Sequence, residues 1–370
     1  MGKQAVLLCL DGCAPEYLRR SNVTNIQALG KTGFMTDAGL AMVPTVTNVN
    51  NVSLITGTYP DEHGITSNCY YDRRSGEEVY MESPDSITAP TIFEKLARRG
   101  KTSALLSVKD KLCALLNRGP QIVLSAESPP EWIVKEIGQP PTIYSIEVNP
   151  WLLKALRVVL KKYSPDFVYM GTTDYVGHKY APEDEEAGRH MVLIDEEIGL
   201  LSEQLGGNLL CISADHGMLG KTRAVNLKAA LETVGVDAWV IPTVKDKYVV
   251  HHSNLSGSAY VYLTGKSPEG ESLEILSDIE GVERALSAKE ASLEYHLPLN
   301  RIGDYLVLGE EDTVFGEVSE EVVSDVQIRS HGSLHERLVP LIVHGDDIRV
   351  KELVENRDLA KVVLDYLEQD

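Results

Sequence analysis

Five short apolar runs, each closing on polar or charged residues, constrain this chain more than any other feature. They are AVLLCLDG (5–12), TSALLSVKDK (102–111), DFVYMGTTD (166–174), NLLCISADHG (208–217) and LVPLIVHG (338–345). Runs so short and so continuously apolar suit strands buried on both faces; a half-buried strand would alternate, and a buried helix would need more length. Between them lie helical stretches such as TIFEKLARRG, closed by Gly100, and the 181–207 segment, with Pro182 in its first turn and acidic residues at the positive end of the helix dipole. Strands alternating with helices predict an α/β fold, a largely parallel sheet with helices on both faces. In such sheets reactive groups gather beyond the carboxyl ends of the strands. Those ends carry Asp11, Lys109, Asp174 and the pair Asp215 and His216.

A chain of 370 residues exceeds the usual single domain, so a core plus a second lobe is expected. The pattern loosens from Thr222 to Gln327, which predicts a core of 1–221 and 328–370 with an inserted cap at 222–327. A formal net charge of -20 argues against nucleic acid or an anionic membrane as the main partner. An anionic substrate would need a local positive site, such as bound metal ions supply. The first apolar run, Ala5 to Leu10, is too short for a signal-peptide core or a membrane span. Five cysteines without a CxxC pair fit a reduced cytoplasmic protein whose thiols pack as small apolar groups.

Asp174 and His178 are four residues apart, so one helical turn would aim both at a single ion. SADHG sets a carboxylate beside an imidazole, and RSHGSLHE adds His331 and His335. Oxygen and nitrogen donors without thiolates suit zinc or manganese. A further stretch, VPTVTNVNNVSLITGTYPDEHGITSN (43–68), concentrates hydroxyls and amides and contains no lysine or arginine. Threonine is a weak nucleophile, but coordination to a dication lowers its pKa enough to activate it. The residues alone leave open which hydroxyl, if any, does chemistry.

The blocks LDG, PTVTNVNNVSLITG, HGITSNCYYD, SVKDKL, TTDYVGHKYAP, ADHGM and YVVHHSNLSGSA occur in this order over most of residues 5 to 262. Together they resemble the alkaline phosphatase superfamily and, within it, the phosphonoacetate hydrolase family. The resemblance implies an alkaline phosphatase-like core and Thr47 as nucleophile. It implies one zinc held by Asp174, His178 and His331, the last preferred to His335, and a second held by Asp11, Thr47, Asp215 and His216; manganese or iron would suit the same donors. Asn68 would donate to a phosphoryl oxygen, and Lys109 and Lys111 would meet the charged substrate, acting jointly if both lie on one strand. Thr45, Thr56, Thr58 and Thr66 read as caps or helix-surface hydroxyls, Asn50 and Asn51 as helix-start hydrogen bonders, and His63 as fixing the turn at Gly64. His251 and His252 read as structural, although the resemblance places their block near the site.

The activity implied is cleavage of the C–P bond of phosphonoacetate through a phosphothreonine intermediate. A phosphodiesterase or nucleotide pyrophosphatase with the same metals is the alternative, and it would be expected to carry an aromatic platform for the base. A metal-dependent binding protein is the non-enzymatic alternative, disfavoured by the full set of nucleophile, ligands and Asn68. The partner is in each case a small anionic phosphonate or phosphate ester. The sequence leaves the oligomeric state open, a homodimer among the options.

Overall fold

Ala5–Cys9 runs through the middle of a seven-stranded sheet, every one of its residues buried. The structure is a computed structural model that describes residues 2–247, 253–264, 269–346, 348, 350 and 352–368. His251 and His252 lie outside these residues. Across the sheet the strands run Phe34–Leu40, Leu338–His344, Leu209–Ser213, Ala5–Cys9, Phe167–Gly171, Ser103–Ser107 and Ile122–Ser125. All five apolar runs are strands in it. Ala5–Cys9 pairs in parallel with Phe167–Gly171 and Leu209–Ser213, and Ser103–Ser107 with Phe167–Gly171 and Ile122–Ser125. Leu338–His344 is antiparallel to both its neighbours, and its register with Phe34–Leu40 shifts between Val339 and Leu341. Pro340 sits at that irregularity, where a residue without an N–H can occupy an interior strand.

A four-stranded antiparallel sheet follows the order Ala238–Pro242, Ser258–Leu263, Tyr305–Gly309, Val282–Ser287. Its side chains alternate strictly: Tyr260, Tyr262, Leu306 and Leu308 enter one apolar cluster, while Ala259, Val261, Tyr305 and Val307 enter another. That period of two buries both faces against separate partners. A third sheet sets Leu219–Val225 between Thr313–Phe315 and Val322–Ser330. The seams expected at 221/222 and 327/328 fall inside Leu219–Val225 and Val322–Ser330, which pair with each other. Both expected bounds thus lie within one antiparallel ribbon. All five cysteines are buried and free, and no described helix is long and apolar enough to cross a membrane.

One helix is capped from a distance. Thr24–Thr32 has no side-chain cap of its own at Val23. Asp195, buried on the helix Glu185–Leu205, accepts instead from Asn25 N–H at 3.1 Å and Ile26 N–H at 2.8 Å, satisfying two first-turn donors. Asp195→Ala should therefore lower stability by about 2 kcal/mol, read as a shift of the urea-unfolding midpoint. Asp195→Asn, which keeps an acceptor, should cost less.

Candidate metal centre

The parallel strands deliver their carboxylates to one edge. Asp11 follows Ala5–Cys9, Asp174 follows Phe167–Gly171, and Asp215 follows Leu209–Ser213. Gly12 makes the crowding possible. Its φ is +71°, a Cβ there would lie 3.0 Å from Asp174 Cβ, and its N–H donates to Asp215 Oδ1 at 3.1 Å. Asp174 stands at the start of the helix Tyr175–Lys179, and its carbonyl accepts from His178 N–H at 3.0 Å. The expected single turn between these two is present. His331 arrives from Val322–Ser330 and stacks on His216, ring centroids 3.6 Å apart and planes 8° from parallel.

Two groups of possible ligands result, Asp174, His178 and His331 in one and Asp11, Asp215 and His216 in the other, each with donor atoms within 4.8 Å of one another. The imidazoles are oriented alike. Nδ1 of His178 faces Arg329 O, Nδ1 of His216 faces Gly217 O, and Nδ1 of His331 faces Thr45 O, each at 2.8 Å. A ring nitrogen facing a carbonyl must carry the proton, so in the neutral ring Nε2 is the nitrogen left with a lone pair for an ion; His178 Nε2 lies 2.9 Å from Asp174 Oδ2. Asp11 Oδ1 is buried and makes no hydrogen bond. Burial, then Asp174 and Asp215, pushes the Asp11 carboxyl well above its ordinary value, with Lys109 opposing. Burial, then His216 and His178, pushes the His331 imidazole well below its own. Buried carboxylates that repel one another beside converging lone pairs fit divalent cations, the charge that would relieve both.

Thr47 opens the helix Thr47–Thr56, its Oγ1 3.3 Å from His216 Nε2. Four residues on, Asn51 donates to Thr47 O at 2.9 Å, as a helix-start residue should, and also to Asp215 Oδ2 at 3.0 Å. The Tyr169 hydroxyl donates to Asn51 Oδ1 at 2.6 Å, so Asn51 holds Asp215 in place. His63 bonds Ser53 Oγ and the Ile65 N–H, a turn-fixing role; burial pushes its pKa down to about 3. Thr45 is not a surface hydroxyl. It is buried, donates to Ser333 O at 2.8 Å and accepts from Gly332 N–H at 3.0 Å, fixing the turn that carries His331.

The lysines do not lie on a strand. Ser103–Ser107 ends first, Lys109 occupies the N-cap of the helix Asp110–Leu116, and Lys111 lies in that helix's first turn. The same-side strand argument therefore fails. Lys109 Nζ lies 3.2 Å from Asp174 Oδ1, whereas Lys111 pairs with Asp246 and lies 3.7 Å from Glu82. Burial alone would lower the Lys109 pKa, but Asp174 and Asp11 outweigh it and hold the ammonium above its ordinary value. Thr47, Asn68, both lysines, Asp11, Asp174 and His331 all line one cleft. Asn48, Leu112, Val244 and Asp246 complete its described lining, which contains no Tyr, Phe or Trp. Asp246 and Glu82 escaped the sequence reading, because neither stands in a metal-ligand spacing. His335 is elsewhere, its Nε2 2.6 Å from Glu283 Oε2.

The model of type I phosphodiesterase / nucleotide pyrophosphatase matches residues 5–334. The chain belongs to this family. Phosphonoacetate hydrolase from Sinorhizobium meliloti 1021, solved in complex with phosphonoacetate, superposes with a TM-score of 0.88 at 30% identity, covering 99% of this chain and 96% of that one. The alkaline phosphatase PafA shares the fold at a TM-score of 0.72 and 16% identity, over 99% of this chain and 96% of that one. Venom phosphodiesterase of Macrovipera lebetinus is 29% identical over 225 residues, 58% of this chain and 25% of that protein. This phosphodiesterase-family chain thus spans about a quarter of the length of the venom enzyme it matches.

The two C-terminal histidines can be separated by metal analysis. After zinc loading and dialysis, His331→Ala should hold one zinc equivalent fewer than the parent. His335→Ala should hold as much as the parent, and the opposite ranking would move the ligand role to His335.

Proposed function

We propose that this chain is a two-zinc hydrolase that cleaves the C–P bond of phosphonoacetate, releasing acetate and phosphate. The observation that carries the reading is the cleft itself, where two lysines stand beside the candidate ligands and the described lining offers no aromatic surface for a nucleobase. The likeness to phosphonoacetate hydrolase over nearly the full length of both chains supports it. Asp174, His178 and His331 would hold one zinc, and Asp11, Asp215 and His216 with the Thr47 hydroxyl the other, although manganese or iron would suit the same donors. Bound dications would lower the pKa of the Thr47 hydroxyl and offset charge on the phosphoryl oxygens.

Thr47 Oγ1 then attacks phosphorus, and the C–P bond breaks as the P–O bond forms. Asn68 donates to a phosphoryl oxygen, as an oxyanion-hole amide does. The electron pair of the broken bond passes to carbon and spreads into the adjacent carboxylate, which Lys111 neutralises; protonation of that carbon gives acetate. Water hydrolyses the phosphothreonine and restores Thr47. Lys109 holds Asp174 and adds positive charge on the metal side of the cleft. Residues 222–327 act as the cap, reaching the cleft through Val244 and Asp246. Five buried thiols support a reducing, cytoplasmic setting. Phosphodiester hydrolysis, the alternative, has an oxygen leaving group and gives Lys111 no task.

Phosphate release from the zinc-loaded chain decides between substrates. Lys111→Ala should reduce phosphonoacetate turnover by on the order of 10²-fold and change an activated aryl phosphodiester much less, because only the former develops charge on a carboxylate. Lys109→Ala should impair both substrates, acting through Asp174. Equal small effects of Lys111→Ala on both would make the chain a phosphodiesterase.

Nucleophile and donor can be told apart as well. Thr47→Ala should abolish turnover while most of the zinc stays bound, since the remaining Asp and His donors persist. Asn68→Ala should keep the nucleophile and lower kcat by about 10²–10³-fold, the usual effect of losing one oxyanion donor.

A further inference from the structure

Asp246 stands where an incoming anion should stand. Lys111 and Asn68, the two groups assigned above to the carboxylate and the phosphoryl oxygen, converge on the same atom, Asp246 Oδ1; the Asn68 Nδ2 bond is 3.1 Å. A substrate oxygen placed between these two donors has to compete with Asp246 Oδ1 for both. The main chain of Asp246 is tied by Asn254, whose Oδ1 accepts from Asp246 N–H at 3.0 Å and whose Nδ2 donates to Asp246 O at 3.3 Å. The backbone is thus anchored by contacts separate from those of the carboxylate. Glu82 lies 3.7 Å from Lys111 and 3.5 Å from Lys247, a second carboxylate beside Lys111.

We propose that Asp246 is a specificity-determining residue, an internal anion that occupies the substrate's donors until a ligand with both a phosphoryl group and a carboxylate displaces it. This rests on the function proposed above and adds what selects the ligand. A carboxylate at the mouth of an anion site costs affinity twice, by competing for donors and by repelling the ligand's charge. A ligand able to engage both Lys111 and Asn68 recovers both bonds. Orthophosphate, or a monoester without a carboxylate, recovers only the bond to Asn68. Asp246 therefore weakens every anion, and least of all the one that fills the cleft.

The test measures binding rather than turnover, in zinc-loaded protein carrying Thr47→Ala so that phosphonoacetate survives. Titration calorimetry at fixed salt, with phosphonoacetate and orthophosphate as separate probes, compares Asp246 with Asp246→Asn and Asp246→Ala. Both substitutions should tighten orthophosphate by on the order of 10-fold and phosphonoacetate by less, narrowing the preference between them. The gain should shrink when Lys111→Ala is added, because part of the competition is for that ammonium. Zinc content and thermal midpoint identify any variant that has not folded, and either substitution suffices. Unchanged or weaker binding of both anions overturns the proposal, as does a preference that stays the same or widens. Failure of either anion to bind any variant overturns it too, because Lys111 and Asn68 would then not be anion donors. A parent enzyme that releases no phosphate from phosphonoacetate refutes the catalytic reading alone; the binding comparison still decides the role of Asp246.

Discussion

Mutual repulsion among Asp11, Asp174 and Asp215 is the constraint on which the rest of this structure depends. Three adjacent parallel strands end at one edge and bring these carboxylates together out of water. Isolated buried carboxylates would take up protons rather than stay charged, and burial, then Asp174 and Asp215, pushes the Asp11 carboxyl upward in that sense. A fold that keeps such an arrangement must offset it with positive charge. Lys109 supplies some, at 3.2 Å from Asp174. The three inward Nε2 lone pairs supply none and also call for a cation. Dications satisfy both demands at once, which is why the metal reading follows from electrostatics as well as from spacing.

Holding the imidazoles in the required tautomer takes parts from distant stretches of chain. His331 depends on Thr45, whose carbonyl accepts a hydrogen bond from Nδ1–H and whose hydroxyl bonds the turn at Ser333 and Gly332. That turn is braced again from below. Glu336 Oε2 accepts from the Ser333 N–H and hydroxyl, and Glu336 Oε1 meets fully buried Lys221 at 2.7 Å. The Glu336 carbonyl accepts from Gly217 N–H at 2.7 Å, beside His216. One buried ion pair thus links the strand Leu219–Val225, the turn carrying His331 and the loop carrying His216. A buried pair of this kind is weak evidence for stability and better evidence for positional specificity, since it tolerates one arrangement of its hydrogen bonds.

The strands and their carboxyl-end residues were legible in the sequence because continuous apolar runs have one economical solution, burial on both faces. Asp174 and His178 were legible for the same local reason, their spacing matching a helical turn. Phe34–Leu40 was not, since an edge strand with mostly half-buried residues carries no such run. The lysine pair misled: SVKDK continues an apolar strand on paper, yet the strand ends at Ser107 and Lys109 turns the chain into a helix. Asn51 and Thr45 read as local hydrogen bonders, and locally Asn51 is one. Their second partners, Asp215 and the His331 turn, are far away in sequence and become visible only once the chain has folded.

Charge balance explains why the two lysines, equivalent in sequence, cannot be equivalent in the cleft. Two dications would balance three aspartates and an ionised Thr47, leaving the ligand shell neutral. A phosphonate carrying a carboxylate would then meet no net attraction from that shell, on a chain whose formal net charge is -20. Steering must come from the cleft walls. Lys109 is paired with Asp174, itself a candidate metal ligand. Lys111 is bound to Asp246 and can change partners without disturbing a candidate metal ligand. Only the second arrangement discriminates, because exchange of one carboxylate for another is nearly neutral in charge, whereas losing the first without a replacement is not. On the proposed function, an ammonium held toward the candidate metal ligands and an exchangeable one toward Asp246 would separate activation of phosphorus from selection of the group attached to it.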